Sequence, residues 1–475
     1  MILQDLTNKG IKVSISSNKT NVRVLIGVIK VVIVFALMWL LTCSVCGDEP
    51  FKAPPNTLPE QIHGNIEIWA WNIAAAALMK VTPQFKEEFP NVNVNVNMTM
   101  ANVQSRFLLS LAAGSGAPDV MQLLLTETPR YASTKQLMDL TSLVSRYEKD
   151  FMPSIWKSCM YKGRVYAIPW GSGPCAIFYK HHIFQRYGID PNKIETWDDY
   201  IAAGKLIAER SNGKTKMFHL PTGGAPSGLA SMFEMLIQQN GGQIFDDNGR
   251  IIVNSPQCLQ VVELLERMLK AGIIVNEPLY THAHYASLKS DIVATYPMAA
   301  WWGGTIRDYA PETAGDWRIF RLPALEKGGL RTSNSGGSVL VIPDQCKQKK
   351  AAWAYVEFVL CRPDIQNIQY KAFDLIPCLI SSFNDPFYDE PDPFFGGQQV
   401  RRMFTQDIEK IYPLNRNKDY SEAIGYVTLV FGTWVARGID CSPEEVLVRL
   451  EKKLQQRLNR EISPLSLTYK QNKGS

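Results

Sequence analysis

The chain has 475 residues, with 50 Lys and Arg against 45 Asp and Glu, a formal net charge of +5, and 46% apolar residues. Five of the cations (Lys9, Lys12, Lys19, Arg23, Lys30) and one anion (Asp5) precede residue 43, which leaves +1 on the remainder. A nearly neutral body without a Lys/Arg cluster lacks the footprint that neutralises phosphates, which argues against nucleic acid as a partner, and its length calls for two lobes rather than one core.

The cations lead into Val31–Leu41, an unbroken apolar run (VVIVFALMWLL). A helix crossing a hydrocarbon core needs about 20 such residues, so the run suits an export signal over residues 1–42. Leu40-Leu41-Thr42-Cys43 resembles a bacterial lipobox, in which the cysteine is diacylated and becomes the new N-terminus, with Thr42 in place of the usual Gly, Ala or Ser. Counting Val24–Ile29 with the run gives the alternative, an uncleaved anchor on the same membrane face. Residues 43–63 read as a linker, with Pro50, Pro54, Pro55 and Pro59 and no apolar period.

Folding is expected to begin at residue 64. Gly64–Trp71 alternates as a strand, Ala74–Phe89 has the period of a helix closed by Pro90, and Val92, Val94, Val96 and Met98 form a second strand between asparagines. Val103–Ala113 reads as a helix ended by Gly114, and Ala117–Val120 opens a third strand; this alternation predicts a parallel sheet under helices. Tyr161–Trp170 reads as a turn and a strand, continued at Ala176–Tyr179 beyond Gly-Ser-Gly-Pro, where the lobes are expected to divide. Helices follow around Trp197–Arg210 and Leu229–Gln239, then a hairpin turn at Asp246–Gly249 and a helix capped by Ser255 and running to about Ala271. Trp317–Pro323 and Ser338–Ile342 read as strands and Lys349–Leu360 as a helix that returns the chain to the first lobe, while 401–460 is chiefly helical. The expected lobes are 64–168 with 325–380, and 169–324 with 381–470.

Ile68–Trp71, Phe89–Val92, Leu111–Gly114 with Ala117–Val120, Gly163–Trp170, Thr196–Asp199, Met298–Trp302 and Gly336-Gly337 stand in this order behind an export signal. Together they resemble the extracellular solute-binding proteins of ATP-driven (ABC) importers, in the group that holds the maltose- and oligosaccharide-binding proteins; the likeness runs from Ile66 to Leu458. The resemblance implies an α/β, type II periplasmic-binding-protein-like fold: two lobes, each a mainly parallel sheet flanked by helices, three chain crossings and a ligand cleft between the lobes. It also implies a role: a monomer, lipid-tethered to the extracellular face of a bacterial membrane, captures a carbohydrate, foremost an oligosaccharide, and delivers it to the transmembrane subunits of a permease. Binding would then be the whole of its chemistry, with no enzyme activity, cofactor or metal.

The residues support such a role independently. A sugar presents apolar C–H faces rimmed by hydroxyls, so its site needs flat aromatic platforms beside fixed hydrogen-bonding groups. Trp71 with Asn72 at the end of the first strand, Trp170 at the expected crossing, and Trp301 and Trp302 before Gly303-Gly304 meet that need, with core packing as the competing reading of each. Trp197 and Trp353 lie on helical segments and read as core. Gln122 offers an amide fork for hydroxyls, or is a solvated loop residue. Gly336 and Gly337 fall where the family brings backbone groups to the ligand, and glycine permits that approach. Gly171-Ser172-Gly173 stands where relatives carry a bulkier polar group, and small residues there suit a hinge.

Other chemistry is thin. There is no GxxxxGK[ST] loop and no HExxH helix, so nucleotide hydrolysis belongs to other subunits. Ser154–Lys157 fits SxxK without the companion elements of a β-lactam enzyme, and His282-Ala283-His284 reads as a polar loop before a metal half-site. An exported glycosidase is the main rival, and it needs two carboxylates about 5 to 10 Å apart, for which Glu67 and Asp119 are strand-borne candidates. A non-sugar ligand on the same fold is the second. Nine cysteines are scattered and read mostly as buried thiols, with Cys361 and Cys378 as the one pairing worth testing; Cys43-x-x-Cys46 has no second pair for zinc.

Overall fold

The computed structural model describes residues 58–99, 102–223 and 228–468. The export segment, Cys43, Cys46 and the linker up to residue 57 lie outside the described residues. Within them the strands are β1 (Gly64–Ala70), β2 (Val92–Met98), β3 (Val120–Leu124), β4 (Met160–Tyr161), β5 (Arg164–Val165), β6 (Ile168–Gly171), β7 (Cys175–Lys180), β8 (Lys216–His219), β9 (Ile274–Val275), β10 (Val293–Ala299), β11 (Trp317–Arg321) and β12 (Ser338–Val341).

Two five-stranded sheets share one plan. The first runs β2-β1-β3-β12-β6 and the second β9-β8-β10-β7-β11. In each, three parallel strands built by strand–helix–strand units are extended by an antiparallel strand and then by a second one. The antiparallel strands are those the chain inserts when it passes between lobes: β12 and β6 in the first sheet, β7 and β11 in the second. Parallel pairing therefore holds for the strands joined by helices, and each sheet is mixed as a whole. β6 stays in the first sheet as far as Gly171, so the first crossing falls at Ser172–Pro174, a few residues beyond the boundary expected at 168.

Local chemistry sets the helix ends. Thr196 caps Trp197–Arg210 by accepting the Asp199 N–H, and the Asp199 carboxylate takes the Thr196 N–H at 2.8 Å, a reciprocal pair that satisfies donors a helix start leaves open. Ser255 caps Pro256–Lys270 by accepting the Cys258 N–H. In the first lobe, Phe85 stacks on Phe89 at 4.6 Å and meets Tyr355 edge-on at 5.0 Å, which clamps Asn72–Glu88 against Lys349–Leu360. In the second, Trp197 is fully buried with its Nε1 donating to Gln239 at 3.1 Å, and Gln239 donates onward to the carbonyls of Pro323 and Leu330.

Several expectations change. His282 and His284 sit on a helix, His282–Lys289, rather than on a loop or strand, because Thr281 caps it through the His284 N–H. Asp246–Gly249 turns the chain as expected, with Phe245 and Ile251 bridging across it and the Ile252 N–H donating to Ile244 O at 2.9 Å. The seven described cysteines are unpaired; six are buried, Cys361 and Cys378 among them. No helix among the described residues is long and apolar enough to cross a membrane.

Candidate functional site

In open sheets of this kind the carboxyl ends of parallel strands leave a crevice where helix starts and loops converge, and ligands bind there. Both sheets carry a pocket at those ends. The first is an open cleft of about 360 Å³ among Trp71, Asn102, Val103, Gln104, Ser105 and Leu124, the residues that follow β1, start the helix Val103–Ala113 and end β3. The second is smaller, a cavity of about 50 Å³ where β8 and β10 end, and His219, Met232, Met235, Leu279, Met298 and Ser335 are among its walls. Both border the returning segment before β12: Ser335 lines one, and Ser338 pairs with Leu124, which lines the other. Neither pocket has an Asp, Glu, Lys or Arg among its described lining residues.

Three stretches of chain pass side by side here. The Cys175 N–H donates to Ser333 O at 2.9 Å, the Ser335 N–H to Gly173 O at 2.8 Å, and the Ser172 N–H to Ile376 O at 3.0 Å. Asn334 Oδ1 accepts the Gly173 N–H at 2.8 Å. The packing is close enough that a Cβ on Gly173 would lie 2.0 Å from Ser335 O. Gly337 combines φ +118° with a Cβ position 2.8 Å from Gly171 O, so it too admits no side chain.

The structure separates the expected ligand residues into two groups. Trp71 is half-buried on the first pocket, and Asn72 beside it is exposed with φ 50° at the start of its helix. Trp301 is half-buried, and its Nε1 donates to Ser335 O at 3.3 Å, which ties the end of β10 to the crossing. Gly336 is exposed beside it, with its Cβ position 3.5 Å from that Nε1.

The other group lies behind these residues. Gln122 is 1% exposed; its Oε1 accepts the Trp71 N–H at 2.9 Å and its Nε2 donates to Ser338 Oγ at 3.0 Å, so the amide fork braces β1, β3 and β12 instead of facing outward. Trp170 is buried and donates to Gln369 Oε1 at 2.7 Å, inside the first lobe. Trp302 is fully buried and lies parallel to His284 at 5.1 Å. In all three the polar edge or the ring face is covered by protein, so they lie behind the pockets and line neither.

Sequence reading passed over His219, the Met232 and Met235 pair, and the Gln104-Ser105 helix start. For His219 and Gln104-Ser105 the usable signal was position, at the end of a strand and at the start of a helix; Met232 and Met235 lie inside the helix Leu229–Gln239 and carried no such signal. His219 is stacked on His284 with ring centroids 4.4 Å apart, and His284 Nδ1 accepts the Tyr280 N–H at 2.9 Å. Burial pushes His219 down to about 4, and burial with the neighbouring His219 does the same to His284. An imidazole near 6.5 when unfolded and near 4 when folded leaves the native state with fewer protons between those values. Stability is therefore full above pH 6.5 and lost as pH falls toward 4. The urea midpoint should drop across that window, and the drop should shrink in His284→Phe; equal drops in both proteins would contradict a neutral buried pair.

The sequence pattern of the bacterial extracellular solute-binding proteins matches residues 70–360, a span that takes in both pockets and the four strands β6, β7, β11 and β12 beside the crossings. The chain belongs to that family. Among relatives of this binding protein, an arabinooligosaccharide-binding protein of Halalkalibacterium halodurans is 25% identical over 84% of the chain and 91% of its own length. A lactose-binding protein of Rhizobium radiobacter is 23% identical over 78% and 89%. The sugar-binding protein MalE of Xanthomonas citri superposes with a TM-score of 0.71 at 19% identity, covering 83% of this chain and 98% of that one, which establishes the shared fold.

Proposed function

We propose that this binding protein captures a neutral carbohydrate, foremost an oligosaccharide, outside the cell and delivers it to the transmembrane subunits of an ABC importer. The observation that carries this reading is the pair of uncharged pockets, one at the strand ends of each sheet, with the half-buried Trp71 lining the first and the half-buried Trp301 bonded to Ser335, which lines the second. The named sugars of the relatives above support it. A ligand shifts an open–closed equilibrium only through its different affinity for the two states, so the sugar must touch both lobes and draw them together about the crossings. On this reading Trp71, Asn72, Trp301, Gly336 and the Gln104-Ser105 helix start contact the ligand, while Gln122 and Trp302 hold the contacts in place.

We further infer that Cys43 carries the lipid that keeps the protein at the membrane surface, and that it acts as a monomer; the mass of the mature N-terminus and the sedimentation of the protein test these two points. The family is one of binding proteins, and the glycosidase reading gains nothing from its candidate acids. Asp119 precedes β3, at the end opposite the first pocket, where its Oδ2 accepts the Glu67 N–H at 2.9 Å. Glu67 Oε1 is held by Trp69 Nε1 and Asn97 Nδ2, each at 2.7 Å.

Thermal unfolding of the full chain against a panel of mono- and oligosaccharides tests the reading. A sugar at 100 times its dissociation constant adds about 2.7 kcal/mol to stability. A shift with the sugar recovered intact is the expected result, whereas cleavage, or no shift with any sugar, would refute it. Trp301→Ala should weaken binding by about 1 to 3 kcal/mol, the usual loss for a stacked aromatic anchor, as read by calorimetry. Trp302→Ala, by contrast, should act on folding, since emptying a buried tryptophan site costs about 3 to 5 kcal/mol.

A further inference from the structure

His219 ends β8 and is 8% exposed, and both of its ring nitrogens are buried with no protein partner. Buried polar groups are almost always hydrogen-bonded, and an exception in a native structure calls for a cause. The described residues hold other such atoms, among them Trp302 Nε1, Gln238 Nε2 and Ser154 Oγ, but none belongs to a residue lining either strand-end pocket. His219 does line one. Its ring is fixed by stacking on His284, whose Nδ1 is already occupied by the Tyr280 N–H, so the pair divides into a supporting ring and a ring with its bonding capacity unused.

We propose that His219 is a specificity-determining residue whose ring nitrogens hydrogen-bond a hydroxyl group of the sugar that reaches into the second-lobe pocket. This rests on the carbohydrate reading and deepens it. A neutral imidazole presents one N–H donor and one lone-pair acceptor, the same two functions a hydroxyl presents, so ring and hydroxyl can satisfy each other without charge. Met232, Met235 and Met298 line the same pocket and offer polarisable, adaptable surfaces to C–H faces. With no cation among the described lining residues, nothing there compensates a carboxylate or phosphate, so the sugar that reaches in is uncharged. A site built to bond a hydroxyl rejects the analogue that lacks it, because the buried protein group is then left unpaired.

The test uses the full chain and its His219→Phe and His219→Gln variants, titrated calorimetrically with lactose, maltose and arabinotriose, then with monodeoxy analogues of whichever binds. In parallel, imidazole ¹⁵N shifts of the unaltered protein are followed as the sugar is added. The expected result is at least about tenfold weaker binding by His219→Phe, smaller loss by His219→Gln, one deoxy analogue that the unaltered protein rejects but the Phe variant no longer distinguishes, and a moved His219 ring signal. Affinities within twofold of one another and an unmoved ring signal would overturn the assignment and leave the carbohydrate reading intact. Binding of none of the three sugars would overturn both. If the Phe variant fails to fold, the ring signal and the Gln variant still decide.

Discussion

Gly173→Ala is expected to destabilise the protein by about 3 kcal/mol or more, a large effect for one methyl group. The added carbon would sit 2.0 Å from Ser335 O and 3.2 Å from Ala299 Cβ, and the nearer obstacle is backbone, which has no rotamer to change. Relief requires the first and second crossings to part, and that breaks the Ser335 N–H to Gly173 O bond that joins them. A protein that still folds should rest in a more open state and bind its ligand more weakly. Urea unfolding reads the first effect and small-angle scattering the second; a midpoint unchanged from the parent protein would mean that these crossings are not as close as described.

A comparable loss, about 3 to 5 kcal/mol, is expected when Glu234 is replaced by leucine. Glu234 Oε1 accepts from Arg416 Nη2 at 3.0 Å and from the Tyr420 hydroxyl at 2.9 Å. The Arg416 side chain is only 2% exposed, and its Nη1 reaches Ser158 Oγ at 2.7 Å, across to the segment ahead of β4. Burial works against the charge on Arg416, and Glu234 and Tyr420 outweigh it, holding the guanidinium above its ordinary value. Without the carboxylate, a desolvated cation is left with no counter-charge. The double change Glu234→Leu with Arg416→Met should recover most of the loss, since removing both charges of a buried pair is often neutral. Failure of the double variant to regain stability would show that packing, not charge, governs this site.

The sequence carried more of the fold than of the site, and the reason lies in where each signal resides. The helix Val103–Ala113 ends where Gly114 takes φ 68°, and Trp197–Arg210 begins where Thr196 and Asp199 cap each other; both signals are local and both boundaries were legible. The return of Ser338–Val341 to the first sheet was legible too, through its apolar run and the helix behind it. Ligand contact has no such local signature. Trp301 and Trp302 are adjacent and chemically identical, yet one is half-open and the other sealed against His284, because a helix starts at Trp302 and turns it inward. Trp170 looked like a platform and is held by Gln369, 199 positions away. His219 falls between the helices expected to end near Arg210 and to begin near Leu229, a stretch to which the sequence assigns no element. Such distinctions depend on partners distant in sequence, which periodicity cannot supply.

The inserted strand β12 also bears on how the protein comes to be folded. β3 and β6 both wait for Ser338–Val341 to pair between them, and the Gln122 amide finds Ser338 Oγ only 216 positions downstream. β7 to β11, by contrast, form an unbroken stretch of chain whose sheet needs no later strand. A polypeptide emerging N-terminus first therefore completes its second sheet before its first. Until then, β3 presents an open edge of the kind that pairs with other chains, which makes the interval before residue 338 the one in which a holding chaperone matters most.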